Sequence, residues 1–202
     1  ISILLPTYNC DKTIEHTLQS VEWADEILVI DSFSSDRTLQ IVKKYGAKVI
    51  QHVYINSAKQ KNWALKFVSH DWVFQIDSDE LLDLGAGNII RDTIANAAEY
   101  VHCFKMHRKN HVLGKWVKHG GMYPDWEYRL FRKDYGEWLE REVHSRVIVS
   151  GAIELLDTPL IHYGMPNISK QLINLDRYTR YEADELNKSH KRFSYFKWLI
   201  GP

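Results

Sequence analysis

The residues whose types and spacing best suit chemistry are Asp77, Ser78 and Asp79, which follow the apolar run 72–76 and precede Glu80. Two carboxylates at the end of a buried strand are held on a short turn. Carboxylate oxygens suit Mg²⁺ or Mn²⁺, whose sites often combine one or two carboxylates with substrate phosphates. A cation there offsets charge developing on a departing diphosphate. The competing reading is a solvated acidic turn that caps the next helix, because a bare Asp-x-Asp has a high false-positive rate. A second carboxylate, Asp31, also closes an apolar run, and a third group, Asp125, Glu127 and Arg129, recurs at every second residue.

The elements that must position these residues follow from the hydrophobic pattern. Residues 1–5, 27–30, 48–53 and 72–76 are short strand-like runs. Between them, 11–21, 38–45 and 57–68 carry helical spacing, with Ile14, Leu18 and Val21 on one face. This β-α-β-α-β-α-β rhythm predicts an α/β fold: a Rossmann-like, mostly parallel sheet flanked by helices, with right-handed crossovers. Ligands of such sheets gather beyond the carboxyl ends of the strands, where Asp31 and Asp77 both sit. A helical stretch at 87–99 ends this half. Residues 100–165, with strand-like runs at 101–106, 128–131 and 146–149, predict a small antiparallel extension with long loops. The spacing then predicts a helix over 167–187 with Ile168, Leu172, Leu175 and Leu186 on one face. Without repeats or low-complexity linkers, one domain over 1–202 is expected, with halves at 1–99 and 100–202.

Composition narrows the partners. The chain has 202 residues, 45% of them hydrophobic, and its 26 basic residues balance 26 acidic ones. That length buries a core without disulfides, the apolar content excludes disorder, and the charge balance argues against nucleic acid. Cys10 and Cys103 form no CxxC pattern and fit a reducing compartment. No apolar stretch approaches the roughly 20 residues of a membrane span, and 1–5 is too short for a signal-peptide core. The expectation is a soluble cytoplasmic protein. A zinc site is disfavoured: His107 and His111 have helical spacing, but no glutamate follows His107, so HExxH is absent.

Taken in order, Leu5-Pro6-Thr7-Tyr8-Asn9, the segment from Asp31 to Thr38, Gln60-Lys61-Asn62-Trp63-Ala64-Leu65 and the turn from Asp77 to Glu80 resemble the family 2 glycosyltransferases. The closest likeness is to the bacterial branch that adds sugars to the lipopolysaccharide core, and the stretch from Tyr123 to Arg132 extends it into the second half. The resemblance implies a GT-A fold, a nucleotide-diphosphate sugar donor with a UDP-sugar favoured, inversion at the anomeric carbon, and a glycan or glycolipid acceptor of the cell envelope. It implies that Thr7, Tyr8 and Asn9 line the nucleotide pocket and that Asp31 holds the nucleoside. Lys61 then lies near the nucleotide, Asp77 and Ser78 approach the ribose, and Asp79 binds Mg²⁺ or Mn²⁺. Many members carry a second carboxylate where this chain has Ser32, which leaves the base open among uridine, guanosine and adenosine.

An inverting transfer needs one carboxylate to take the acceptor hydroxyl proton as its oxygen attacks. The family match assigns this role to Asp125, with Glu127 as the fallback; strand alternation puts both acids and Arg129 on one face, so spacing does not separate them. Arg129 either pairs with Glu127 or, like Arg132, offers its guanidinium to the diphosphate. The resemblance also makes His144 a phosphate- or acceptor-side candidate and His162 a candidate metal ligand. The segment 188–200 mixes lysines with aromatics, which suits either peripheral contact with the inner face of the cytoplasmic membrane or a helix packed on the domain. Two rivals stay open: nucleotidyl transfer, which asks for a glycine-rich loop where the chain has Pro6-Thr7-Tyr8-Asn9-Cys10, and a nucleotide-sugar-binding module without turnover.

Overall fold

Ile3, Leu4 and Leu5 are consecutive apolar residues because the first strand, β1 (Ser2–Thr7), is covered on both faces. Ile3 and Leu5 pack with Ile14, Leu18 and Val21 of α1 (Ile14–Val21), whereas Leu4 joins Leu28, Ile30 and Ala64 in a second core layer. The computed structural model describes residues 1–140, 146–165 and 167–188. Its first half continues with β2 (Glu26–Asp31), α2 (Thr38–Lys44), β3 (Lys48–Gln51), α3 (Ser57–Leu65) and β4 (Trp72–Gln75). Every element predicted there is present, with ends displaced by a few residues. The strands run parallel in the order β3-β2-β1-β4. The order therefore reverses at β1, and the carboxyl ends of β1 and β4 frame a crevice of the kind that binds ligands.

The second half comprises β5 (Glu80–Leu82), α4 (Ala86–Ala95), β6 (Val101–Val112), β7 (Lys115–Trp116), β8 (Asp125–Arg132), β9 (Gly136–Trp138), β10 (Val147–Val149), β11 (Ala152–Met165) and α5 (Ile168–Lys188). The antiparallel extension is only partly separate. β9 and β10 form their own two-stranded antiparallel sheet, while β8, β6, β11 and β5 continue the main sheet beyond β4. β8 is antiparallel to both β4 and β6, and β6 is parallel to β11. Inserting β8 there buries Leu130 in one core layer and Phe131 in the other. Because β5 pairs with β11, the turn from β4 to β5 passes the ends of the three intervening strands.

Two expectations for the carboxyl-terminal part need comment. The helix α5 forms as the spacing predicts, and Ile168, Leu172, Leu175 and Leu186 on its apolar face are 63%, 60%, 57% and 52% exposed. Helical spacing reports an apolar stripe without specifying its partner, and no described layer covers this one. The segment 189–200 proposed for membrane contact lies outside the described residues, and no described helix is long and apolar enough to cross a membrane.

Gly87 of α4 offers a test of the packing. A Cβ there would sit 2.5 Å from the Trp23 ring, whose Nε1 donates to the Ser20 carbonyl at 3.0 Å. Alanine gains about 1 kcal/mol of helix propensity over glycine, but overpacking a tight core costs about 1–3 kcal/mol. Gly87→Ala is expected to lower stability by up to about 2 kcal/mol in urea titrations followed by circular dichroism; a more stable variant would show that Trp23 yields.

Candidate active site

The acidic turn is built by its own backbone and by one buried arginine. After β4, the Glu80 amide donates to the Asp77 carbonyl and the Asp77 amide donates to Glu80 Oε2, both at 3.0 Å. Arg129 of β8 enters from the neighbouring strand, fully enclosed. Its Nη2 donates to Glu80 Oε1 at 2.5 Å, and its Nη1 reaches Gln75 Oε1 at 2.5 Å and Asp77 Oδ2 at 3.5 Å. Gln75 Nε2 in turn donates to Asp77 Oδ1 at 2.8 Å, and Lys61 Nζ stands 3.8 Å from that oxygen. Burial alone would raise the Asp77 carboxyl; Lys61 and Arg129 overcome it and hold Asp77 below the usual carboxylate range.

Strand pairing brings the late histidine to this turn. Glu80 lies opposite His162 in the β5–β11 register, and the Tyr163 amide donates to the Asp79 carbonyl at 3.0 Å. His162 Nε2 is therefore 3.8 Å from Asp79 Oδ1, and burial keeps the imidazole pKa below its ordinary value. A carboxylate oxygen beside a neutral imidazole nitrogen is a donor set that fits Mn²⁺ well and Mg²⁺ less well. Among the described residues no three such groups converge, so a cation here would draw further ligands from substrate or water.

The same register carries the candidate base. His162 pairs with Asn110 across β11 and β6, and Arg108 pairs with Asp125 across β6 and β8. Arg108 Nε donates to Asp125 Oδ2 at 2.8 Å, and Asn110 Nδ2 donates to the same oxygen at 2.9 Å. Arg108 Nη2 also stands 3.0 Å from Glu127 Oε1, and its Nη1 lies 3.7 Å from Glu80. Asp125 and Glu127 thus share a face, as strand alternation predicts, and one arginine serves both.

On the first half's side, Asp31 is wholly buried at the end of β2. It accepts from Thr7 Oγ1 at 3.1 Å, the Ser34 amide at 2.9 Å, Ser34 Oγ at 2.5 Å and Gln51 Nε2 at 3.1 Å. Asp31 thereby fastens the loop after β2 to β1. Asn9 adds a second tie, its Oδ1 accepting from the Ser35 amide at 2.8 Å. Tyr8 and Phe33 stand exposed on these two loops, and Ser78 is close enough to the Cys10 thiol to lower its pKa, against the larger upward push of burial.

The structure therefore gathers Asp77, Asp79, Lys61, Arg129, His162, Asp125 and Glu127 into one linked network. Arg132 is not brought there: it pairs with Asp71 and lies over Trp72 at the amino-terminal end of β4. Arg129, rather than pairing with Glu127 at hydrogen-bond distance, is spent on Gln75, Asp77 and Glu80. His144 lies outside the described residues. Sequence reasoning missed Gln75, Glu80, Arg108 and Asn110 as site residues; the only signal for the last two was polar alternation in a run otherwise rich in basic residues and histidine.

Two tests follow from the buried cluster. At pH 8, Arg129→Met leaves Glu80 buried without its partner, and loss of one member of such a pair costs about 3–5 kcal/mol in denaturant titrations; a loss under about 1 kcal/mol would show that the cluster relaxes. Burial raises the Glu80 carboxyl to about 7 against the pull of Arg129 and Arg108, from an ordinary value of 4.5. Between those limits the folded form keeps a proton that the unfolded chain has released, so this group's contribution to stability falls as pH rises through that window. Comparing Glu80→Gln with the parent from pH 5 to pH 8 should show that this component of the slope is gone; identical slopes would refute the assignment.

Comparison with known proteins bears on the family and the fold. The family model described as Glycosyl transferase family 2 matches residues 2–153. The lipopolysaccharide core biosynthesis glycosyltransferase LpsC of Rhizobium meliloti is 25% identical over 209 residues, covering 100% of this chain and 77% of the relative. An uncharacterized glycosyltransferase of Rickettsia typhi is 28% identical over 218 residues, covering 98% of this chain and 71% of its own. Among solved structures, S. aureus TarS 1–349 superposes with a TM-score of 0.58 at 21% identity, covering 81% of this chain and 60% of that one. The same TarS segment in complex with UDP-GlcNAc gives 0.57 at 22% identity, covering 80% and 58%. This chain thus spans about 60% of the solved TarS segment, and the likeness is one of fold, of the GT-A type expected. With the family model spanning residues 2–153 of 202, the chain belongs to glycosyl transferase family 2.

Proposed function

We propose that this protein transfers a sugar, with inversion, from a nucleotide-diphosphate donor to a saccharide of a lipid-linked envelope glycan, with lipopolysaccharide core favoured. The observation that carries the reading is the approach of Asp79 to His162, and the link of His162 to Asp125 through Asn110, beside the Lys61–Asp77 pair. The relative LpsC, whose printed role is in lipopolysaccharide core biosynthesis, supports the acceptor class. TarS, solved with UDP-GlcNAc on the same fold, supports a UDP-sugar as donor.

In this mechanism the loops after β1 and β2 form the nucleotide side. Asp31 shapes its floor by holding Thr7 and Ser34, and the exposed rings of Tyr8 and Phe33 offer apolar faces to a base. Asp77 and Ser78 lie toward the ribose, and Lys61 places positive charge where the diphosphate departs. Asp79 and His162 would hold a divalent cation, Mn²⁺ or Mg²⁺, which would offset the charge on the leaving diphosphate. Asp125 acts as base. Its described donors, Arg108 and Asn110, all reach Oδ2, leaving Oδ1 to take the acceptor hydroxyl proton. As that proton moves, the acceptor oxygen bonds the anomeric carbon and the bond to diphosphate breaks on the opposite side. Glu127 stays paired with Arg108 and helps orient it. The enzyme works at the cytoplasmic face of the inner membrane, with 188–200 as the contact segment.

The test is release of nucleoside diphosphate from a panel of sugar nucleotides, with and without Mn²⁺, in the presence of saccharide acceptors. Asp125→Asn is expected to lower kcat about 10²–10⁴-fold, as loss of a general base does, and Glu127→Gln by less than about tenfold. The reverse ranking would transfer the role to Glu127. Asp79→Ala should abolish the response to Mn²⁺, and full turnover in that variant would discard the cation assignment. Proton NMR of the product should show the anomeric configuration opposite to the donor's.

A further inference from the structure

We infer that Asn110 is a positioning residue that holds His162 in its Nδ1–H tautomer and ties it to Asp125, so that the bare Nε2 faces Asp79. Asn110 is 7% exposed, in the interior of β6, and its backbone carbonyl accepts from the Val117 amide. Its side chain makes three contacts whose chemistry fixes its orientation. One amide nitrogen, Nδ2, lies 3.1 Å from the Met122 carbonyl and 2.9 Å from Asp125 Oδ2. Both partners only accept, the carboxylate being already paired with Arg108 at 2.7 Å. Flipping the amide would set oxygen against two acceptors, so Oδ1 must face His162 Nδ1, at 2.7 Å.

An amide oxygen can only accept, which obliges His162 Nδ1 to carry the proton. In the neutral ring Nε2 is then unprotonated, and it is the nitrogen 3.8 Å from Asp79 Oδ1. The ring is confined from another side too. A Cβ on Gly164 would lie 2.5 Å from His162 Cε1 and 2.6 Å from Nε2, so the glycine leaves the space the imidazole fills. A single amide thereby sets the orientation of two groups on separate strands, the candidate base on β8 and the candidate ligand on β11. Partners of this kind fix tautomer and ring orientation at metal-ligating histidines. The tautomer assignment stands on the hydrogen bonds alone; its consequence for cation binding rests on the reading under Proposed function.

The experiment uses the whole, metal-free chain labelled with ¹⁵N-histidine at pH 8, with the His162 ring signals identified by their loss in His162→Gln. Long-range ¹H–¹⁵N spectra should show a protonated Nδ1 and an unprotonated Nε2. A predominant Nε2–H form in the parent protein overturns the inference, whatever any variant does. In Asn110→Ala the Nε2–H form should gain, with the His16 and His70 signals unmoved, and Mn²⁺ affinity by water-proton relaxation should weaken about 10–100-fold. Unchanged tautomer and unchanged affinity in that variant also overturn it. Mn²⁺ that leaves the parent's His162 signals sharp removes His162 as a ligand, while the metal-free spectra still decide the role of Asn110.

Discussion

The site depends on the buried contact between Arg129 and Glu80. Both groups are taken out of water, which is unfavourable unless each finds its full set of partners. Here the two terminal nitrogens of the guanidinium are shared among Glu80, Gln75 and Asp77, its Nε is buried without a hydrogen-bond partner among the described residues, and the Glu80 carboxyl also accepts the Asp77 amide. The pair adds little net stability in such an environment, but breaking it would strand a charge, and it admits only one placement of the turn. That constraint locks a strand of the second half, β8, to the turn that leaves β4. The Asp77 carboxyl is directed from both sides, by Arg129 on Oδ2 and by Gln75 and Lys61 on Oδ1.

Charge in this part of the molecule is unevenly distributed, although the chain as a whole is balanced at 26 basic and 26 acidic residues. Asp77, Asp79, Glu80, Asp125 and Glu127 meet the cationic side chains of Lys61, Arg108 and Arg129. Arg108 and Arg129 are committed to carboxylates within the protein, so they position acids rather than wait for phosphate. On the reading proposed above, Asp79 and His162, 3.8 Å apart, are the groups at this network that would hold a cation.

How far the sequence carried is clearest in particular residues. The apolar runs around Leu4, Val29 and Phe74 announced buried parallel strands, because a strand covered on both faces must be apolar at consecutive positions. Asp31 and Asp77 were then placed at strand ends by chain order alone. β11 was not legible: Glu154, Asp157, Pro159 and Gly164 interrupt any alternation, and the strand is held by pairing with β6 and β5. The apolar stripe of α5 was legible as one helical face, but its exposure was not, since periodicity encodes a face and says nothing of what lies against it.

The sequence by itself determined the parallel half-sheet and the types of the acids at the strand ends, because those follow from local patterning and short spacings, and its motifs carried the resemblance to the family. Only the tertiary structure decided that Arg129 serves the turn instead of Glu127, that Arg132 lies at the other end of the sheet, and that Asn110 joins His162 to Asp125. The reason is register. Which residue of β6 faces which residue of β8 or β11 is set by pairing between segments far apart in the chain, and a shift of one residue would turn each of these side chains to the opposite face.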